Sequence, residues 1–184
     1  MSSRYIATSS AQFLRKIAVD YIRYGYIRYA LREIPAIKDV EAVDRKLIEC
    51  YQITSCRSRR ARRRAQKLSN VVYVRYGHTF VLLATEGKHH TFDQIMSHNF
   101  RIDPLLYQNY SIGIHSEKPD VRVRAIVWSK VKRRFEMIAL HEKTEVQRKL
   151  NALPFARFPG IIRQKRKLVH RINVRRKRAG LAML

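Results

Sequence analysis

Thirteen consecutive residues, 56–68, include seven Lys or Arg, and they lie in a longer stretch between Glu49 and Glu86 that has no carboxylate at all. A basic helix on an ordinary protein surface interleaves Glu with Lys and Arg, because i,i+4 pairs of opposite charge stabilise a helix and like charges repel. Nothing inside this run offsets that repulsion. The balancing charge has to come from outside the chain, which is typical of a nucleic-acid contact surface.

The charge of the whole chain points in the same direction. Its 184 residues contain 39 Lys and Arg against 14 Asp and Glu, which gives a net charge of +25. This excess is far larger than solubility requires and indicates a polyanionic partner, either DNA, RNA or an anionic membrane. Apolar residues make up 46% of the chain, so we expect a hydrophobic core and no extensive disorder.

Hydrophobic spacing predicts an α+β fold with five helices and two pairs of strands. The predicted helices are 10–34, 39–50 with Asp39 as its N-cap, 57–68, 130–152 and 161–178. The predicted strands are 72–76 and 79–84, joined by a turn at Gly77 and His78, and 110–114 and 121–128, joined by a turn at 117–120. Thr54 or Ser55 is expected to cap the Arg-rich helix 57–68, whose inner face would be Ala61, Ala65 and Leu68.

These elements divide the chain into three predicted segments. The first, 1–87, is a nucleic-acid-binding module, and the second, 88–153, contains the strand pair and helix that complete the core. The third, 154–184, is a basic C-terminal helix and tail. From Val146 to the C-terminus the chain has twelve Lys or Arg and no acid, so this last segment is a second candidate contact surface.

Helix, helix, short turn, basic helix and β-hairpin follow one another over residues 10–87, and this order resembles the winged helix-turn-helix class. The resemblance implies that 39–50 positions the recognition helix 57–68 in the major groove and that the hairpin 72–85 is the wing. Six arginines suit phosphates and guanine edges better than graded base readout. The arrangement also resembles small, basic, uncharacterised proteins of bacterial mobile elements, which implies a role in transcription, replication or recombination of such an element.

The sequence therefore predicts a non-enzymatic protein that binds nucleic acid, with duplex DNA preferred over RNA. We expect no catalytic residue, no metal and no cofactor. The predicted nucleic-acid-binding residues are Arg57, Arg59, Arg60, Arg62, Arg63, Arg64, Lys67, Arg75, His78, Arg163, Lys165, Arg166, Lys167, Arg171, Arg175 and Arg176.

Two other functions stay open at this stage. A structural RNA-binding protein, such as a ribosome component, would carry the same excess of basic residues. A metal-dependent nuclease or strand-transfer enzyme would need paired carboxylates for Mg²⁺, and Asp93 with Asp103 is the best available pair. Tyr73, Tyr76 and Phe80 on the hairpin could stack on bases, but aromatic residues on strands are more often core residues, and we expect them there.

No apolar run approaches the length of a membrane span, and the basic helices lack the wide apolar face used in membrane insertion. We therefore expect a cytoplasmic protein, associated with the nucleoid if it is bacterial, with no membrane partner. The acid-free segment 1–19, rich in Ser, Thr and Ala, leaves a mitochondrial import signal open as an alternative. The elements after Tyr110 would complete the core and either form a homodimer or add a second basic surface.

Overall fold

The structure is a computed structural model that describes residues 4–53 and 55–184, and its fold is α+β as predicted. The helices are α1 (Ser10–Arg15), α2 (Val40–Cys50), α3 (Arg57–Ala65), α4 (Ala125–Ile138), α5 (Lys143–Asn151) and α6 (Pro159–Arg178). The strands are β1 (Tyr26–Glu33), β2 (Val71–Tyr76), β3 (Thr79–Thr85), β4 (His98–Asn99), β5 (Leu105–Tyr107), β6 (Tyr110–His115) and β7 (Lys118–Val123). A π-helical segment, Lys16–Tyr21, and a 3-10 turn, Ile22–Tyr24, prolong α1.

The strands form two antiparallel sheets, one with the order β2-β3-β1-β4 and one with the order β5-β6-β7. The chain divides into two compact units. Unit 1 comprises Met1–Leu105 with Ile112–Pro119, and unit 2 comprises Leu106–Ser111 with Asp120–Leu184. The three segments predicted from the sequence are a division by composition and charge, and they stay a prediction.

The predicted first helix is wrong beyond Tyr24. Gly25 has a φ of +85° and ends the helical segment, and the residues after it form β1, which pairs with β3 on one side and β4 on the other. Both faces of β1 are largely covered over its first six residues. Its burial repeats as two buried residues followed by one half-buried residue, and this period of three imitates the spacing of a helix.

Helix α2 covers one face of the four-stranded sheet, and both its bounds and its cap are confirmed. The Asp39 carboxylate accepts a hydrogen bond from the Glu41 N–H at 3.0 Å, which satisfies one of the free donors of the first turn. Val43 and Leu47 on the inner side of α2 pack against a cluster of buried residues that includes Tyr73 and Leu82.

The opposite face of the sheet is also buried. Strand side chains alternate between faces, and Val72, Val74, Val81 and Leu83 on this second face are at most 3% exposed. The hairpin β2–β3 and its predicted turn at Gly77 and His78 are confirmed. Since both faces of this hairpin are buried along most of its length, only the turn reaches solvent.

A buried carboxylate joins α2 to β2. Asp44 is 1% exposed, and it accepts hydrogen bonds from the Arg75 guanidinium, 2.8 Å from Nε to Oδ1 and 2.8 Å from Nη2 to Oδ2. The Tyr73 hydroxyl donates a further short hydrogen bond to Asp44. Burial together with this hydrogen bond raises the pKa of Tyr73. The sequence analysis assigned Arg75 to nucleic acid, but its side chain is occupied inside the fold.

The second half of the chain corrects three predicted boundaries. The turn between β6 and β7 lies at Ser116 and Glu117, both with φ above +45°, not at 117–120. Pro119 and Asp120 are common turn residues, but here they belong to β7, an edge strand, where a proline is tolerated. Strand β7 then ends at Val123 and α4 begins at Ala125, so the predicted strand to 128 and helix start at 130 are wrong.

The predicted helix 130–152 is two helices, because both sides of the break are capped. The Glu142 carboxylate accepts a hydrogen bond from the Thr144 N–H at 2.7 Å and starts α5. On the other side, the buried Arg176 guanidinium donates to the carbonyl oxygens of Ala139 at 2.9 Å and His141 at 2.7 Å. The arginine thereby satisfies carbonyls that the end of α4 leaves free.

Helix α6 is confirmed, with its start two residues earlier at Pro159, which suits the first helical position. Leu168 and Ile172 on its inner face are buried at 3% and 2% exposure, and Val169 beside them is half-buried. Within the part of the chain that the structure describes, no helix combines the length and the apolar character needed to cross a bilayer.

Changing Asp44 to Ala tests the buried ion pair. We expect the variant to lose about 3–5 kcal/mol of unfolding free energy, because it leaves the Arg75 guanidinium buried without its partner. Urea unfolding followed by circular dichroism measures this. Glu49→Ala is the matched control, since Glu49 is an exposed carboxylate on the same helix, and it should change the stability by no more than about 0.5 kcal/mol. Equal losses in the two variants would contradict a structural role for Asp44.

His89 makes the stability of unit 1 depend on pH. It is 8% exposed, and its Nδ1 accepts a hydrogen bond from the Phe92 N–H at 3.2 Å. Burial, and then the positive charge of Arg63, lower the pKa of His89 below its ordinary value. Protons therefore bind the unfolded chain more readily than the folded one, and the unfolding free energy should fall as the pH drops below about 6.5.

Urea unfolding at a series of pH values measures this fall. In His89→Asn, which keeps an acceptor for the Phe92 N–H, the fall between about pH 7.5 and pH 5.5 should be smaller than in wild type. His115→Asn changes an exposed histidine and should follow wild type. An unchanged pH dependence in His89→Asn would show that another group carries the effect.

Candidate nucleic-acid interface

Helix α3 is confirmed as a helix, but it ends at Ala65 and not at residue 68, and its predicted inner face is wrong. The structure begins it at Arg57 with Cys56 as N-cap and no side-chain capping bond, so Ser55 does not cap it, and Thr54 lies outside the described residues. Ala61 and Ala65 are exposed, and no residue of α3 is buried. Methyl groups bury too little area to hold a helix of nine residues that is otherwise charged.

Polar contacts hold α3 in place instead. The Arg63 guanidinium donates two hydrogen bonds to the carbonyl oxygen of the buried Ser69, at 3.2 Å from Nε and 2.7 Å from Nη2. The Asn70 side-chain amide donates to the carbonyl oxygen of Arg60 at 3.0 Å. Arg64 donates to the carbonyl oxygen of Tyr24 at 3.0 Å. One side of the helix is thus fastened to neighbouring backbone, and the other side is free.

The remaining cations of this region face solvent without a countercharge. Across the residues that the structure describes, no carboxylate pairs with any of the seven cations from Arg57 to Lys67. Arg59 donates to the neutral Gln52 side chain at 3.1 Å. Arg57, Arg62 and Lys67 are exposed. We call the outward side of α3 with Lys67 the α3 basic face.

Of the two hairpin residues predicted to contact nucleic acid, Arg75 has partners within the fold and His78 lies at the exposed turn. Arg75 is committed to Asp44 and also donates to the carbonyl oxygen of Gly77 at 2.8 Å. His78 is exposed at the turn, where its carbonyl oxygen accepts a hydrogen bond from the Ile34 N–H. Of the two hairpin residues, only His78 has a side chain positioned to reach a ligand.

The basic residues of α6 are engaged differently from those of α3. Arg163 pairs with Asp120 at 2.7 Å, and Arg171 pairs with Glu136 at 2.7 Å. Arg175 donates to the carbonyl oxygen of Glu136, and Arg176 is 3% exposed and caps α4. Arg166 and Lys167 are exposed, and Lys165 is half-buried. Because the Lys165 ammonium donates to the carbonyl oxygen of Leu153 at 3.5 Å, five of the seven residues predicted here have a partner within unit 2.

The carboxylates proposed for a metal-dependent enzyme are occupied by other groups. Asp93 pairs with Arg28 at 2.6 Å, and Asp103 pairs with His98 at 2.5 Å. Among the described residues there is no group of three His, Cys, Asp or Glu that could hold a metal ion.

Two of the three hairpin aromatic residues lie in the core as expected, whereas Tyr76 is half-buried. Tyr73 is fully buried and Phe80 is 8% exposed, with ring centroids 5.5 Å apart, so neither can stack on a base. The ten tyrosines of the chain all lie in the described residues, and Tyr24 alone is exposed, at 62%. Tyr24 keeps helical spacing with Ile17 and Tyr21, which predicts a shared buried face, so its exposure has no signal in the sequence.

Comparisons of the chain with protein-family models, with curated proteins and with solved structures found no match.

The contacts of α3 predict that two neighbouring arginines differ in their effect on stability. Arg63→Ala leaves the buried Ser69 carbonyl without its donors and should cost about 1–3 kcal/mol of unfolding free energy. Arg62→Ala removes an exposed side chain and should change the stability by less than about 0.5 kcal/mol. Chemical unfolding of both variants makes the comparison. The assignment of Arg63 as an anchor is wrong if the two variants are equally stable.

Proposed function

We propose that this protein binds duplex DNA through the α3 basic face, without catalysing a reaction, in the transcription, replication or recombination of a mobile element. The observation that carries the proposal is the contrast between the two basic helices. Two α6 arginines pair with carboxylates and two more donate to backbone carbonyls, whereas none of the six α3 arginines pairs with a carboxylate among the described residues.

The spacing of charges on α3 suits duplex DNA. A helix of nine residues is roughly 14 Å long at 1.5 Å per residue, and it carries six arginines. Duplex DNA has one phosphate per roughly 1.7 Å of its axis, so a similar length holds about eight phosphates. Its major groove, about 12 Å wide, admits one α-helix. The outward arginines can then reach phosphates along the groove and the acceptors of guanine.

The order of elements in unit 1 supports a recognition role for α3. From α1 to β3 the order is helix, strand, helix, helix, strand, strand. In the sheet β3 lies between β2 and β1 and pairs with both. This order suits the winged-helix class, with α2 as the positioning helix and α3 as the recognition helix. In this proposal the hairpin contacts DNA only through its exposed turn at His78, and α3 makes most of the contacts.

Three arginines of α3 that do not anchor the helix provide the test, of which Arg57 and Arg62 are exposed and Arg60 is half-buried. In the variant Arg57→Gln, Arg60→Gln, Arg62→Gln, binding to random-sequence duplex DNA should weaken, because three phosphate contacts are lost. The slope of log K against log salt should become less steep by about 2.7, at 0.9 per contact. Fluorescence anisotropy at several salt concentrations measures both quantities. Arg63 and Arg64 stay unchanged because their hydrogen bonds hold the helix.

A second triple variant, Lys38→Gln, Arg45→Gln, Lys46→Gln, removes the same charge from exposed positions in unit 1 and serves as the control. It should keep the wild-type slope. Equal losses in both variants would mean that binding follows net charge, and α3 would not be the interface. Displacement of the duplex by structured RNA at lower concentration than by DNA would favour a structural RNA-binding protein instead.

A further inference from the structure

A groove beside α3 combines arginines with tyrosines. It has a volume of about 580 Å³ and lies between α3 and the end of the helical segment that precedes Gly25. Four arginines line it (Arg4, Arg57, Arg60 and Arg64), together with one carboxylate, Asp20. Its local charge is therefore strongly positive. Three of its arginines, Arg57, Arg60 and Arg64, belong to α3.

Tyr24 is the distinctive residue of this groove. Its side chain is exposed, while its backbone is fixed on both sides. The carbonyl oxygen of Tyr24 accepts the hydrogen bond from Arg64, and the next residue, Gly25, donates its N–H to the carbonyl oxygen of Ile22 at 3.0 Å. An exposed aromatic ring on a fixed backbone loses little conformational freedom when it binds a ligand.

The other two tyrosines of the groove form its wall. Tyr21 and Tyr26 are 7% and 4% exposed, and their rings meet edge to face at a centroid distance of 5.5 Å. Burial raises the pKa of Tyr21 to about 12. These two tyrosines are therefore uncharged at neutral pH and are held in place by their mutual contact, so they form a rigid edge of the groove.

A second groove, also of about 580 Å³, shares Tyr24 and Arg64 with the first. It adds Lys67, Arg101 and Glu86, and Arg101 pairs with Glu86 at 3.4 Å and with Glu117 at 2.8 Å. Within the described residues, Lys67 is thus the unpaired cation that this groove adds beside Tyr24.

We propose that the groove around Tyr24 binds an unpaired nucleotide of DNA, with Tyr24 stacking on the base and Arg57, Arg60 and Arg64 binding the neighbouring phosphates. Aromatic stacking combined with a positive groove is how proteins hold single-stranded nucleic acid. In a duplex the bases are already stacked on one another and are not available to Tyr24. The inference rests on the proposed DNA binding, and it makes a duplex with a single-stranded overhang the preferred ligand.

The test compares two DNA hairpins that share one duplex, of which one is blunt and the other has a short overhang containing 2-aminopurine. Wild type should bind the overhang hairpin more tightly and quench the fluorescence of the 2-aminopurine by stacking. Tyr24→Ala should lose between roughly fivefold and 150-fold in affinity for the overhang hairpin, the contribution of one stacked base, and should lose the quenching. Its affinity for the blunt hairpin should stay at the wild-type value.

Tyr24→Phe keeps the ring and removes the hydroxyl, so it should behave as wild type in both affinity and quenching. A loss in Tyr24→Phe as large as in Tyr24→Ala would overturn stacking in favour of a role for the hydroxyl. Equal wild-type affinity for both hairpins, with no effect of Tyr24→Ala, would overturn this inference and leave duplex binding by α3 intact. Failure of wild type to bind either hairpin would overturn both proposals.

Discussion

The small number of carboxylates determines which basic residues of this protein form ion pairs. With 39 Lys and Arg for 14 Asp and Glu, most cations cannot find an acidic partner within the chain. The buried carboxylates are each placed where they join elements, as Asp44 joins α2 to β2 and Asp120 joins β7 to α6. Backbone carbonyls serve other arginines, among them Arg63 and Arg176. Cations without a carboxylate partner remain on both basic helices, and on α3 none of the six arginines has one among the described residues.

This arrangement couples ligand binding to stability. Helix α3 buries no side chain, and like charges along it repel, so its stability comes from the hydrogen bonds on its inner side. A helix of nine residues is marginal without such contacts. A polyanion bound to its outer side would reduce the repulsion. Because the folded helix holds its arginines close together, the polyanion would bind the folded state more tightly than the unfolded one and raise the apparent stability of unit 1 by mass action.

The sequence predicted best where local signals and burial agree. Helix α2 has its cap Asp39 and an amphipathic face, and the hairpin has Gly77 at a turn that needs positive φ. The basic run is also evident from the sequence, but the sequence does not show which arginines donate hydrogen bonds within the fold. Ser69 and Ala139 accept hydrogen bonds through backbone carbonyls, and every residue has a carbonyl, so these contacts leave no trace in the sequence. The break between α4 and α5 was missed for the same reason.

The tripeptide Ile-Arg-Tyr shows how position overrides local sequence. It occurs at 22–24 and again at 27–29. Tyr24, just before the left-handed Gly25, is exposed beside α3, whereas Tyr29 on β1 is 5% exposed and stacks on Phe100 at a centroid distance of 4.4 Å. A single helix through both copies would place them at nearly opposite sides of one cylinder, since five residues turn the chain by about 500°. Ending the helix at Gly25 separates the copies, so that one tyrosine joins the core and the other faces the groove.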